Sequence, residues 1–148
     1  MKLAIGCDHG GFDLKTELVA YLKEQGHEVK DFGCYDKSSI DYPDYAIPVG
    51  EAVARGEFDR GIVICTTGIG VSISANKVRG VRCALVADEY SARMTREHND
   101  TNVIAFGANV TTVVRAKGML DIWLEVPYSH GERHQRRIDK ISAYENTH

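Results

Sequence analysis

Five short apolar runs, separated by segments of helical spacing, leave this chain few folds to choose from. Leu3-Ala4-Ile5 is the first run, and Val29 to Phe32 is a weaker second. Gly61 to Cys65, Val81 to Val86 and Val103 to Phe106 are the others. Apolar character that is continuous, not alternating, marks strands covered on both faces. Between them, Phe12 to Lys23 carries Leu14, Leu18, Val19 and Leu22 on one stripe, and Gly26 supplies a stop. Pro43 to Arg55, Val71 to Val78, Glu89 to Glu97 and Thr112 to Val126 complete the helical set, before a short amphipathic helix with Ile138 and Ile141. Strands alternating with helices call for right-handed crossovers and a parallel sheet. The expected class is α/β.

Composition narrows the class further. A chain of 148 residues with 43% hydrophobic and 26% charged residues buries a core of one domain's size, expected to span 1–148. A net charge of -3 argues against a nucleic-acid binder. No apolar run approaches the ~18 residues of a membrane span, and no leader pattern precedes the first strand, so a cytoplasmic location is expected. Cys7, Cys34, Cys65 and Cys83 form no CxxC pair, which disfavours a zinc or redox motif.

Ligands of open parallel sheets bind beyond the carboxyl ends of strands. Three polar segments are read as converging there: Gly6-Cys7-Asp8-His9-Gly10-Gly11, Cys65-Thr66-Thr67-Gly68-Ile69-Gly70 and, at the end of the fourth helix, Arg96-Glu97-His98-Asn99-Asp100. The second precedes a helix, so its N–H groups are expected to face the cleft and hold an anion. A dinucleotide fingerprint fails because Ile73 stands where the third glycine belongs, and a phosphatase loop fails because Val71 stands where its arginine belongs. Each candidate has a plainer reading. Cys65 fits a small core hydrophobe, although a strand end beside a helix start favours the thiolate, with Thr67 a hydrogen-bond partner for the sulfur. Asp8-His9 fits a capping turn, and His98 fits a helix-end histidine. Tyr128 to Arg137 forms a basic stretch that suits an anionic ligand.

Taken in order, Asp8-His9-Gly10-Gly11, Asp41-Tyr42-Pro43, Cys65-x-Thr67-Gly68-Ile69-Gly70, Asn76-Lys77-Val78, Glu97-His98-Asn99-Asp100 and Gly131-x-Arg133-His134-Gln135-x-Arg137 resemble the type B ribose-5-phosphate isomerases, grouped with galactose and allose phosphate isomerases. The resemblance implies a Rossmann-like three-layer α/β/α sandwich on a five-stranded sheet in the order 2-1-3-5-4. It implies a homodimer, sometimes paired into tetramers, with shared sites and the C-terminal helix at the interface. It further implies metal-independent aldose–ketose isomerisation through a cis-enediolate, with Cys65 as the base, Thr67 assisting it, and Asp8 with His98 opening the sugar ring. The N–H groups of Thr66, Thr67, Gly68, Ile69 and Gly70 would hold the enediolate. His9, Arg133 and Arg137 would grip the phosphate, and Asn99 and Asn109 would complete the substrate contacts.

Two departures bear on the sugar. Thr66 stands where the family usually has glycine, and Asn109 where ribose-specific members commonly carry a phosphate-side arginine. Ribose 5-phosphate is the first expectation; a hexose or tetrose phosphate, or non-catalytic phosphosugar binding, is the alternative. A metal-dependent hydrolase on His130 and His134 is the outlying reading, without the His-Glu-x-x-His order or a third ligand.

Overall fold

A computed structural model describes all 148 residues. Five parallel strands, β1 (Lys2–Cys7), β2 (Glu28–Asp31), β3 (Arg60–Cys65), β4 (Cys83–Leu85) and β5 (Val103–Gly107), pair in the order β2-β1-β3-β5-β4. Six α-helices connect or follow them: α1 (Phe12–Glu24), α2 (Pro43–Ala54), α3 (Ile69–Ala75), α4 (Glu89–Asn99), α5 (Val113–Glu125) and α6 (Glu132–Thr147). A single 3-10 turn, His9–Gly11, precedes α1.

The unbroken apolar runs follow from two buried faces. Leu3, Ile5, Ile62, Ile64, Ile104 and Phe106 point to one side, under Leu14, Leu18 and Leu22 of α1, Ala92 of α4 and Met119, Leu120 and Trp123 of α5. Ala4, Val63, Cys65, Val103 and Ala105 point to the other, under Ala46, Val49 and Val53 of α2 and Val71 and Ala75 of α3. The result is three layers, as expected, with α6 laid against α4. Truncating a leucine from this core, such as Leu18, costs about 2–5 kcal/mol.

The C-terminal helix, expected to be short, runs 16 residues, and two further elements differ from the spacing for local reasons. The helix expected over 71–78 runs from Ile69 to Ala75. It starts early because Gly68, at φ 78, turns the chain in a left-handed conformation that a side chain would resist. It stops early because Asn76 turns outward and clasps β4, donating Nδ2 to Cys83 O (2.9 Å) and accepting from Cys83 N (2.8 Å). The strand expected over 81–86 keeps only three residues, since Arg82 N is taken by the Asn102 side chain.

Candidate active site

At the carboxyl edge of the sheet, β3 ends in Cys65, whose side chain is nearly buried. Gly68 N donates to Cys65 Sγ at 3.1 Å, so the loop folds back and presents an N–H to the sulfur. The sequence expectation put Thr67 on the sulfur; instead Thr67 Oγ1 accepts from Ile69 N at 3.3 Å, closing its own turn. Gly68 and Ile69 N–H groups are thereby engaged, which narrows the expected anion hole to the N–H groups of Thr66, Thr67 and Gly70. The Tyr42 ring closes this side: a Cβ on Gly70 would lie 2.6 Å from Tyr42 Cζ.

The β1 end lies beside it, because Cys7 pairs with Ile64 and Asp8 N donates to Ile64 O (3.1 Å). Asp8 is buried and caps the 3-10 turn, accepting through Oδ1 from Gly10 N (2.9 Å) and Gly11 N (3.2 Å). The plain capping reading is therefore present, and it uses one oxygen only, leaving Oδ2 for chemistry. Ile40 N donates to His9 Nδ1 at 3.3 Å. A neutral His9 then carries its proton on Nε2, a donor suited to an anion. The β5 end completes the edge through Ala108 N to Cys65 O (2.8 Å) and Asn109 N to Thr66 O (3.0 Å).

His98 and Asn99 are elsewhere, which corrects the convergence of three segments on one edge. Helix α4 starts after β4 at the carboxyl edge and runs back, so its last residues sit at the amino edge. There Asn102, just before β5, accepts from Gly61 N at 2.9 Å. Gly61 and Cys65 lie at opposite ends of β3, separated by ~13 Å of strand. Within one chain His98 cannot reach the sulfur. Arg96 and Asp100, from the same segment, form a structural ion pair at 2.9 Å that closes the helix end.

What His98 does meet is α6. Its ring stacks on His134 with centroids 4.1 Å apart and planes 12° from parallel. Ser129 donates from both N and Oγ to Glu97 O and fastens the start of α6 there. Arg133 and Arg137, four residues apart on the same helix, are exposed and enter no ion pair within the chain. Burial, then the charges of His98, Arg133 and Arg137, holds the His134 imidazole below its ordinary pKa. His130 tilts against Tyr128 instead, so the two histidines of the hydrolase reading have different neighbours.

The fold thus brings together Asp8, His9, Thr66, Thr67, Gly68, Ile69, Gly70, Cys65 and Asn109 at one edge. It gathers His98, Asn99, Arg133 and Arg137 at the other. Sequence reasoning gave no role to three supports, although Tyr42 stands in one of the motifs that carry the resemblance. Tyr42 and Ile40 belong to a loop whose path only the folded chain reveals. Lys15 reads as a surface lysine on its helix, yet it is 1% exposed and donates to Asp31 at 2.8 Å and to Cys34 O, pinning that loop. Its position four residues after Gly11 and one after Leu14 is the only trace in the sequence.

Residues 3–141 match the family model described as Ribose/Galactose Isomerase. The ribose-5-phosphate isomerase B of Escherichia coli is 51% identical over 144 residues, covering 97% of this chain and 96% of its own. A galactose-6-phosphate isomerase subunit of Clostridium acetobutylicum is 42% identical over 141 residues, covering 95% of this chain and 82% of its own. Among solved structures, a ribose-5-phosphate isomerase B of Clostridium thermocellum superposes with a TM-score of 0.97 at 50% identity, over 99% of each chain.

Proposed function

The chain belongs to the ribose/galactose isomerase family, aldose–ketose isomerases of phosphorylated sugars, and on that premise we propose that it interconverts ribose 5-phosphate and ribulose 5-phosphate. The observation that carries the reading is the Cys65 sulfur, held by Gly68 N at 3.1 Å, with the free Asp8 carboxylate oxygen and unengaged loop N–H groups around it. A thiolate there is the base that carries the proton between C2 and C1. The enediolate formed in between places negative charge on oxygen, facing the N–H groups of Thr66, Thr67 and Gly70. Each well-aimed donor of this kind is worth ~3 kcal/mol of barrier. The charge needs no metal ion in this scheme, so full turnover after chelation is the expected result.

Ring opening takes a second acid, and the reading assigns it to His98 of another copy. The supports are geometric. His98, Asn99, Arg133 and Arg137 stand at the edge remote from their own Cys65, with both arginines free to meet a phosphate. Apolar side chains that one chain leaves open, Ile69 at 52%, Ile73 at 55% and Leu85 at 42% exposure, border the carboxyl-edge half-site and suit a dimer contact. On α6, Ile138 is covered while Ile141 and Tyr144 stay exposed. A homodimer with two composite sites, with or without pairing into tetramers, follows. A base of this kind works only as a reduced thiol, which fits a cytoplasmic enzyme. In line with that, no helix is long and apolar enough to cross a membrane.

The deciding experiment is conversion of ribose 5-phosphate in deuterium oxide. Deuterium entering at C1 or C2 of the product supports enediolate chemistry; binding without turnover or exchange would reduce the protein to a phosphosugar-binding module. A second sugar stays in play because the uncharged Asn109 borders the cleft and donates its N–H to the neighbouring Thr66 O. A kcat/KM panel over tetrose, pentose and hexose phosphates decides it. A tenfold advantage for another sugar overturns ribose and leaves the isomerase.

A further inference from the structure

A Cβ built on Gly10 would lie 2.2 Å from Thr66 Oγ1, closer than any real contact, and 3.3 Å from Asp8 Oδ1. The missing side chain at position 10 is therefore what seats the Thr66 hydroxyl against the Asp8–Gly10 turn. Thr66 is also tied to Asn109, through the 3.0 Å bond from Asn109 N to Thr66 O. Both side chains are exposed toward solvent. Gly10 and Asn109 line one cavity of about 480 Å³ together with Phe12, Asp13, Glu17 and Val113. The charged side chains on that lining are carboxylates, and Asp13 already has a partner in Lys37 at 2.9 Å. That lining offers a dianion no cation of its own, whereas a hydroxyl and an amide bond neutral hydroxyl groups readily.

We propose that Gly10, Thr66 and Asn109 act as one specificity unit, in which the bare position 10 fixes the Thr66 hydroxyl and the Thr66–Asn109 wall takes an uncharged, hydroxyl-bearing part of the sugar and not its phosphate. The proposal rests on the assignment of this edge as the sugar half-site. The phosphate is left to His9 and to the arginines of a second copy. Gly10 acts through Thr66 and is a positioning residue; Thr66 meets the ligand.

Calorimetric affinity for ribose 5-phosphate, measured beside turnover and inhibition by inorganic phosphate, tests the unit. Thr66→Val keeps the shape and removes the hydroxyl. It should weaken ribose 5-phosphate about tenfold, leave inhibition by inorganic phosphate within twofold, and be rescued by Thr66→Ser. Unchanged affinity, or equal weakening of sugar and inorganic phosphate, overturns the proposal. Gly10→Ala should cost about tenfold beside Thr66 and less than threefold in the Thr66→Ala background; an equal cost in both overturns the coupling. Should Gly10→Ala not fold, the two substitutions at exposed Thr66 still decide. A wild type that binds ribose 5-phosphate without isomerising it would sink the isomerase reading alone, since the affinities would still test the wall.

Discussion

The edge that carries Cys65 is assembled from strand ends, and its polar atoms are held by the backbone. The edge that carries His98 is assembled from helix surfaces, and Arg133 and Arg137 there enter no ion pair within the chain. At the first, Cys65 and Asp8 are each oriented by an N–H of their own turn, and His9 by an N–H from a separate loop. At the second, His98 and His134 orient one another by stacking, with Arg133 and Arg137 left free. Chemistry that moves a proton at carbon needs a base fixed to a fraction of an ångström, and interlocked strand ends provide that. Capture of a phosphate tolerates side chains that swing. The two edges divide the proposed reaction accordingly.

The sharpest way to break this division is to remove the base. Cys65→Ala should lower kcat by about 10²–10⁴-fold, the usual worth of a positioned acid or base, with phosphosugar affinity largely kept. Retention of more than about a tenth of kcat, a loss of only ~1.4 kcal/mol, would end the assignment. Iodoacetamide should inactivate the wild type, with ribose 5-phosphate protecting it.

The next test asks whether the two edges serve different chains. Cys65→Ala and His98→Ala chains, each inactive alone, should regain about a quarter of wild-type activity when refolded together, because half of the dimers are mixed and each mixed dimer holds one intact site. No recovery, or a light-scattering mass near 16.4 kDa at working concentration, would refute composite sites.

A smaller effect separates a built edge from a presented one. Lys15→Met removes a buried cation and leaves Asp31, 34% exposed, without its partner. The expected cost is about 2–4 kcal/mol by denaturant unfolding, toward the lower part of the range for broken buried pairs because Asp31 keeps access to water. Arg133→Met, on the exposed face of α6, should change stability by less than about 0.5 kcal/mol while weakening inhibition by inorganic phosphate. Equal destabilisation by both would erase the contrast.

The contrast also explains what could be read in advance. A strand buried on both faces writes an unbroken apolar run, so β1, β3 and β5 were legible, and the glycines around Cys65 marked the loop beyond β3. The plane of β4 was less so, because Asn76 and Asn102 claim its ends through side chains distant in sequence. The motif with His98 was visible, yet its edge was misjudged: a crossover helix reverses direction, and a segment just before a strand belongs to the amino side. The Ile40 bond to His9 and the burial of Lys15 depend on the path of residues 33 to 42, a loop with no periodicity to read.

The smallest predicted effect concerns the stacked histidines. His134 is buried against His98, with Arg133 and Arg137 on its own helix, and desolvation followed by those charges keeps its pKa below the ordinary 6.5. The unfolded chain therefore binds the His134 proton more readily than the folded chain. Stability from this group is fully present above about pH 6.5 and declines as the pH falls from there through the lower folded value. His134→Phe keeps a flat ring on His98 and removes the proton site. Its unfolding free energy should match the wild type within about 0.5 kcal/mol at pH 8 and fall less steeply between pH 6.5 and 5. Parallel pH profiles for the two proteins would show that the stack carries no proton-linked stability.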